Sequence, residues 1–216
     1  MPTVGVLALQ GAFREHREVL DALGVDAIDV RVSRELDDVD ALLIPGGEST
    51  TMSRLLDTSG LREPLMGRLA SGMPAFGTCA GLILLARDVL DGRPDQIALG
   101  ALDITARRNA YGRQTESFEA ALDIDGLDGA PFPGVFIRAP VVESVGPGVE
   151  VLAMHEDHVV LLRQGAIWAS TFHPELSGDL RIHQQFLSQQ LQLDLERPNP
   201  DRPNPDQPNP DREVSV

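Results

Sequence analysis

The chain has no lysine: its 18 basic residues are all arginine. It has a single cysteine and no apolar run of membrane-spanning length, which is about 20 residues. Without lysine there is no Gly-x-x-x-x-Gly-Lys phosphate loop. With one cysteine there is no internal disulfide and no thiolate-rich metal site, and nothing points to an oxidising compartment. No His/Cys/Asp/Glu cluster has zinc-ligand spacing, so no metal is expected. The chain does not open on a basic segment followed by an apolar stretch, and a soluble, cytoplasmic protein without membrane contact is expected. Positive charge is short overall: 33 acidic residues give a net charge of −15, which disfavours nucleic acid and anionic surfaces as partners.

What the chain does have is organised. Of its 216 residues, 42% are hydrophobic, enough for a sizeable core in one domain. Continuous apolar runs with β-branched members at 3–9 and 41–44 predict strands buried on both faces. Further strands are expected at 27–30 and 74–77, with helices over 13–23, 50–57 and 61–70, the first stopping at Gly24. This alternation predicts an α/β fold of three layers, a mostly parallel central sheet with helices on both faces. After about residue 97 short β-like pieces follow one another, at 98–105, 117–124, 135–137, 151–155, 158–163 and 166–172. They read as a small antiparallel extension and a return to the main sheet, closed by a helix over 178–193. The domain is therefore expected to occupy 1–195. Residues 196–216, built on three Pro-Asn-Pro-Asp repeats, read as a disordered tail, because such a segment lacks backbone donors and apolar residues to bury.

The cysteine is the centre of the chemistry. Gly77-Thr78-Cys79-Ala80-Gly81 stands between a short apolar run and another at 82–86, the strand–turn–helix pattern of a nucleophile elbow. Small residues two before and two after the nucleophile avoid striking the neighbouring strand and helix, and the helix N-terminus faces the sulfur. On the pentapeptide alone, a buried structural cysteine is the competing reading. A cysteine nucleophile needs a base and a group to orient it. His173 follows a β-like run, at the strand end where α/β sheets hold ligands, and Glu175 two residues on is placed to accept the imidazole N–H. His16, His155, His158 and His183 compete for the role, but none has that context. Pro45-Gly46-Gly47-Glu48-Ser49 ends a buried strand, and glycines there let backbone N–H groups turn toward an oxyanion. Ser49 or Thr50 is either a cap for the next helix or a substrate contact. Arg108 and Arg138 are either surface ion pairs or carboxylate receptors.

Gly-Gly-Glu-Ser-Thr-Thr-Met (46–52), Phe-Gly-Thr-Cys-Ala-Gly-Leu (76–82) and Phe-His-Pro-Glu-Leu (172–176) together resemble the class I glutamine amidotransferases, a flavodoxin-like fold. Segments 5–16, 108–114, 117–119 and 135–140 narrow the likeness to the glutaminase subunits of pyridoxal 5′-phosphate synthase, over roughly 3–193. The resemblance implies a Cys79–His173–Glu175 triad that hydrolyses glutamine through a glutamyl thioester. It places glutamine binding on Gly47, Glu48, Ser49, Arg108, Ile137 and Arg138, and an oxyanion hole on Gly47 and Ala80. Gln10 would lie near both the site and the partner. It also implies ammonia transfer to a (β/α)8-barrel synthase subunit in a hetero-oligomer, with no cofactor on this chain. The other readings are a cysteine hydrolase or stress protein of the DJ-1/PfpI type, a docking module that has lost its chemistry, and an amidotransferase of another pathway. The loop at 46–49 and His173-Pro174-Glu175 argue against the first.

Overall fold

The alternation of apolar side chains explains the three layers. In β3 (Ala41–Ile44), Leu42 and Ile44 join one buried cluster while Ala41 and Leu43 join another. In β4 (Ala75–Thr78), Ala75 and Phe76 divide the same way, as do Ala169 and Trp168 in β12 (Ile167–Ser170). A strand that sends apolar side chains to both faces must be covered twice. One face packs on α2 (Ser49–Thr58), α3 (Arg62–Ala70) and α4 (Ala80–Leu85), through residues such as Met52, Leu56, Leu65 and Leu84. The other packs on α1 (Phe13–Leu23) and α5 (Arg181–Leu191), through Leu20, Ile182, Phe186 and Leu187. The computed structural model describes residues 2–93, 96–108 and 117–195. The tail at 196–216 and most of segment 108–114 lie outside them.

The central sheet has seven strands in the order β10-β11-β12-β4-β3-β1-β2, with β1 at Val4–Leu7, β2 at Ala27–Val30, β10 at Glu150–His155 and β11 at His158–Gln164. The five strands from β12 to β2 are parallel; β10 and β11 add an antiparallel edge. From β1 the chain goes first to β2 on one side and then to β3 on the other. That reversal opens a crevice at the carboxyl ends of β1 and β3, the usual ligand position in such sheets.

Two small sheets complete the fold. One joins β5 (Ala86–Leu90), β6 (Leu102–Arg107) and β9 (Val141–Val145); the other is the hairpin of β7 (Ser117–Leu122) and β8 (Phe132–Ile137). The expected mostly parallel sheet with an antiparallel extension is what forms, and α1, β2 and β3 keep their expected bounds. Besides shifts of a few residues at the ends of other elements, three details differ. The apolar run after Cys79 is helical only to Leu85 and then becomes β5. Strand β9 was not expected, since its partner in β6 is far away in sequence. A 3-10 turn at Ser33–Leu36 joins β2 to β3.

Candidate active site

Cys79 stands between β4 and α4 with φ 49 and ψ −101, in a region that non-glycine residues seldom occupy. Such a backbone costs about 1–3 kcal/mol and persists only where its surroundings enforce it. The flanking glycines show what enforces it. A Cβ on Gly81 would sit 2.1 Å from Ile44 O, and one on Gly77 would sit 2.7 Å from the carbonyl of Gly81. The elbow therefore needs glycine at both positions, as the sequence indicated. The Cys79 amide donates to Ser170 O at 2.8 Å, tying the elbow to the end of β12. Helix α4 has only six residues, so the dipole expected at the sulfur reduces to its first-turn amides.

The chain leaving β12 brings in His173, the expected base. The His173 amide donates to Val135 O at 2.8 Å, which fixes the segment against β8. The His173 ring lies beside Cys79, close enough that a Cβ on Gly46 would touch both, and its Nδ1 lies 2.7 Å from Glu175 Oε1. Burial works against a charged ring here. The contacts with Cys79 and Glu175, and their charges, outweigh it and raise the His173 pKa from 6.5 to about 10. Glu175 is 6% exposed. Burial pushes its carboxyl up, but the neighbouring His16 and the hydrogen bond and charge of His173 prevail and hold it below its ordinary value. A carboxylate, an imidazolium and a sulfur thus stand in a row.

The row opens into a cavity of about 380 Å³. Gly47, Glu48, Ser49, Cys79, Ala80, Arg108, Ile137, Arg138 and His173 all line it; Glu175 stands behind His173. The expected residues thus converge from β3, β4, β6, β8 and β12. The Cys79 thiol points at Ile137 O, 4.0 Å away. Arg138 follows at φ 46, a second strained position on the wall. At the mouth, Arg108 Nη2 donates to Glu48 Oε1 at 2.9 Å, and Nη1 to Thr50 Oγ1 and Gln96 Oε1 at 2.8 and 2.7 Å. Arg108 is thus not merely a surface ion pair; it is held at the cavity by three side chains.

The choice left open for Ser49 and Thr50 resolves in an unexpected way. The cap of α2 is Glu48, whose carboxylate accepts from the amides of Thr50 and Thr51 at 3.1 and 2.7 Å. Burial raises the Glu48 pKa, yet these bonds and the Thr51 hydroxyl bring it down to about 2. Gln10 also has a defined place. Its Oε1 accepts from the Glu48 amide at 2.9 Å, and nearby the Ala12 amide donates to Gly46 O at 3.0 Å. The ends of β1 and β3 are thereby stitched together across the crevice.

Sequence reasoning missed what lies behind Glu175. His16 and His183, considered only as rival bases, are fully buried there with Thr78. The signal was present: His16 shares a helical face with Val19 and Leu20, so it had to point inward. Among the described residues, no three His, Cys, Asp or Glu side chains gather to hold a metal ion, and no helix is long and apolar enough to cross a membrane.

A family model described as the SNO glutamine amidotransferase family matches residues 6–192. The chain belongs to the SNO glutamine amidotransferase family. Its membership decides between the class I amidotransferases and the DJ-1/PfpI type in favour of the former. Relatives in this family include the "Pyridoxal 5′-phosphate synthase subunit PdxT" of Acidothermus cellulolyticus, 57% identical over 192 residues, or 87% of this chain and 93% of that protein. The protein of the same name in Mycobacteroides abscessus is 58% identical over 186 residues, 86% of this chain and 96% of its own length. A crystal structure of a glutamine amidotransferase superposes with a TM-score of 0.80 at 51% identity, covering 86% of this chain and 97% of that one. The structure of PurLQS from Thermotoga maritima, at 15% identity and TM-score 0.63 over 87% of this chain and 98% of that one, shares the fold.

Proposed function

We propose that this amidotransferase hydrolyses glutamine to glutamate and ammonia with Cys79 as nucleophile, His173 as acid–base and Glu175 as its orienting carboxylate. The observation that carries the reading is the line of contacts Cys79–His173–Glu175 at the floor of a cavity that also gathers the expected glutamine-binding residues. Cys79 Sγ attacks the side-chain amide carbon beside a His173 ring that already carries its proton. The tetrahedral oxyanion is met by backbone N–H groups at Gly47 and Ala80. When the C–N bond breaks, His173 gives its proton to the departing ammonia and a glutamyl thioester remains. Water then attacks the thioester with His173 as base, glutamate leaves as the C–S bond breaks, and the proton stays on His173, which restores the starting pair. Arg108 and Arg138, with Glu48, Ser49 and Ile137, hold the α-carboxylate and α-amino ends of glutamine.

The relatives' names extend the reading. At 53–58% identity over most of both chains they are called subunits of pyridoxal 5′-phosphate synthase. We therefore infer that the ammonia is delivered to a (β/α)8-barrel synthase subunit for vitamin B6 formation in the cytoplasm. The test is glutamate release from glutamine by the chain mixed with such a synthase. Cys79→Ala is expected to abolish release while its thermal unfolding matches the parent. A variant that still released glutamate would overturn the assignment of the nucleophile. Ammonia from the parent that failed to support pyridoxal phosphate formation would overturn the partner.

A further inference from the structure

The triad leaves one of its own atoms unexplained. Glu175 Oε1 is bonded to His173, but among the described residues Oε2 has no hydrogen-bond partner, although the side chain is fully buried. A buried carboxylate oxygen without a donor costs about 1–3 kcal/mol or more. Nε2 of His16 lies 3.6 Å from this oxygen. That is too long for a hydrogen bond and short enough for a charge–dipole contact. The same Nε2 lies 3.2 Å from Thr78 Oγ1, and the opposite ring nitrogen, Nδ1, lies 3.0 Å from Nε2 of His183.

One arrangement of protons fits every contact. Burial lowers the pKa of both histidines, that of His183 to about 3, so both are neutral near pH 7. A neutral imidazole carries one N–H. If His183 donates from Nε2, its Nδ1 is a bare lone pair, and that is the His183 atom with no partner. His16 Nδ1 then accepts, and His16 carries its proton on Nε2, the edge that faces Thr78 and Glu175. The opposite order would leave a buried N–H of His183 without an acceptor and turn a lone pair of His16 toward the Glu175 carboxylate.

We propose that His16 is a positioning residue of the active site: set by His183 behind it, it presents its Nε2–H edge to the otherwise unpartnered oxygen of Glu175 and so fixes the carboxylate that orients His173. The elements agree with that role. His16 is on α1, His183 on α5, Thr78 one residue before the nucleophile and Glu175 two after the base. The groups facing Glu175 are His173 and His16, with His183 one step beyond; Glu15 faces His16 from its own helix. The inference rests on the triad chemistry proposed above.

Two substitutions separate positioning from mere filling. Glutamine places its amide where His16 Nε2 sits and can still donate toward Glu175. Asparagine reaches only the Nδ1 position, and so His183. His16→Asn and His16→Gln are therefore compared for kcat and KM in glutamate release with the synthase subunit present. Separately, iodoacetamide alkylation of Cys79, the only cysteine, is followed at pH 7 in the chain alone. By analogy with other partners that orient a reactive histidine, kcat is expected to fall roughly 10–100-fold in His16→Asn with KM within about twofold, and to be largely restored in His16→Gln. The alkylation rate should follow the same order, because the imidazolium beside the sulfur depends on Glu175. Equal rates in the two variants, or a loss confined to His16→Gln, overturns the proposal. If His16→Asn does not fold, His183→Leu reads the same line from its far end: a lowered kcat at unchanged KM supports it, and an unchanged kcat overturns it. The alkylation arm needs no glutamine, so failure of the glutaminase reading would show as absent release in the parent with the contrast in alkylation intact.

Discussion

Replacing Gly46 by alanine tests the site's geometry more sharply than removing a catalytic group. A Cβ at this position would lie 2.3 Å from Cε1 and 2.9 Å from Nδ1 of His173, and 3.3 Å from Cβ of Cys79. Carbon atoms need about 3.5 Å, so something must move by about 1 Å. The strand end cannot easily yield. Gly46 O accepts from the Ala12 amide at 3.0 Å, and the backbone of Gly11 crosses so closely that a Cβ there would sit 1.9 Å from that oxygen. The imidazole must give way, against its 2.7 Å bond to Glu175. Overpacking of this kind costs about 1–3 kcal/mol, which a domain with a typical reserve of about 5–15 kcal/mol survives. The chemistry is less forgiving: a 1 Å misplacement costs about 100-fold, or about 2.7 kcal/mol in the barrier. Gly46→Ala should therefore fold, melt a few degrees lower, and release glutamate about 100-fold more slowly with the synthase present. A variant within about twofold of the parent would show that His173 is not held where it matters.

Three other outcomes follow from the same contacts. Arg108→Ala should raise KM for glutamine roughly 10–100-fold, the value of about 1.5–3 kcal/mol for a charge-assisted contact, with a smaller effect on kcat; an unchanged KM would remove Arg108 from substrate binding. His183 has a folded pKa of about 3 against an ordinary 6.5, so its contribution to stability is complete above pH 6.5 and is lost as pH falls toward 3. From pH 7 to 4.5 this amounts to roughly 2–3 kcal/mol, which His183→Gln, still able to donate but unable to titrate, should not lose; parallel pH slopes in urea unfolding would refute it. Leu193 and Leu195 still pack on the core beside α5, so we place the domain boundary after Leu195. A chain ending there should keep full activity and melting temperature, and a large loss of either would give residues 196–216 a structural or functional part.

Much of the site was legible before any coordinates. Gly77 and Gly81 around Cys79 announced a turn too tight for side chains, and the clash of a Gly81 Cβ with Ile44 O is that constraint in distances. Glu175 stood two residues from His173, near enough for local geometry to join them. Other parts were not legible. The capping of α2 passed from Ser49 or Thr50 to Glu48, because a longer carboxylate reaches two amides and Arg108 together. Strand β9 escaped notice because its hydrogen bonds are made to β6, and local pattern carries no sign of a distant partner.

The sequence by itself determined the strands, through apolar side chains alternating to two faces, and the elbow, through glycines that leave room for a sharp bend at Cys79. It also settled which residue types could do the chemistry. Tertiary structure alone decided which histidines stand together. His16 and His183 are 167 positions apart, and they meet under Glu175 only because α1 and α5 cover the same face of the sheet. Periodicity states that a side chain points inward; what it meets there depends on how separate elements pack, and no local pattern encodes that.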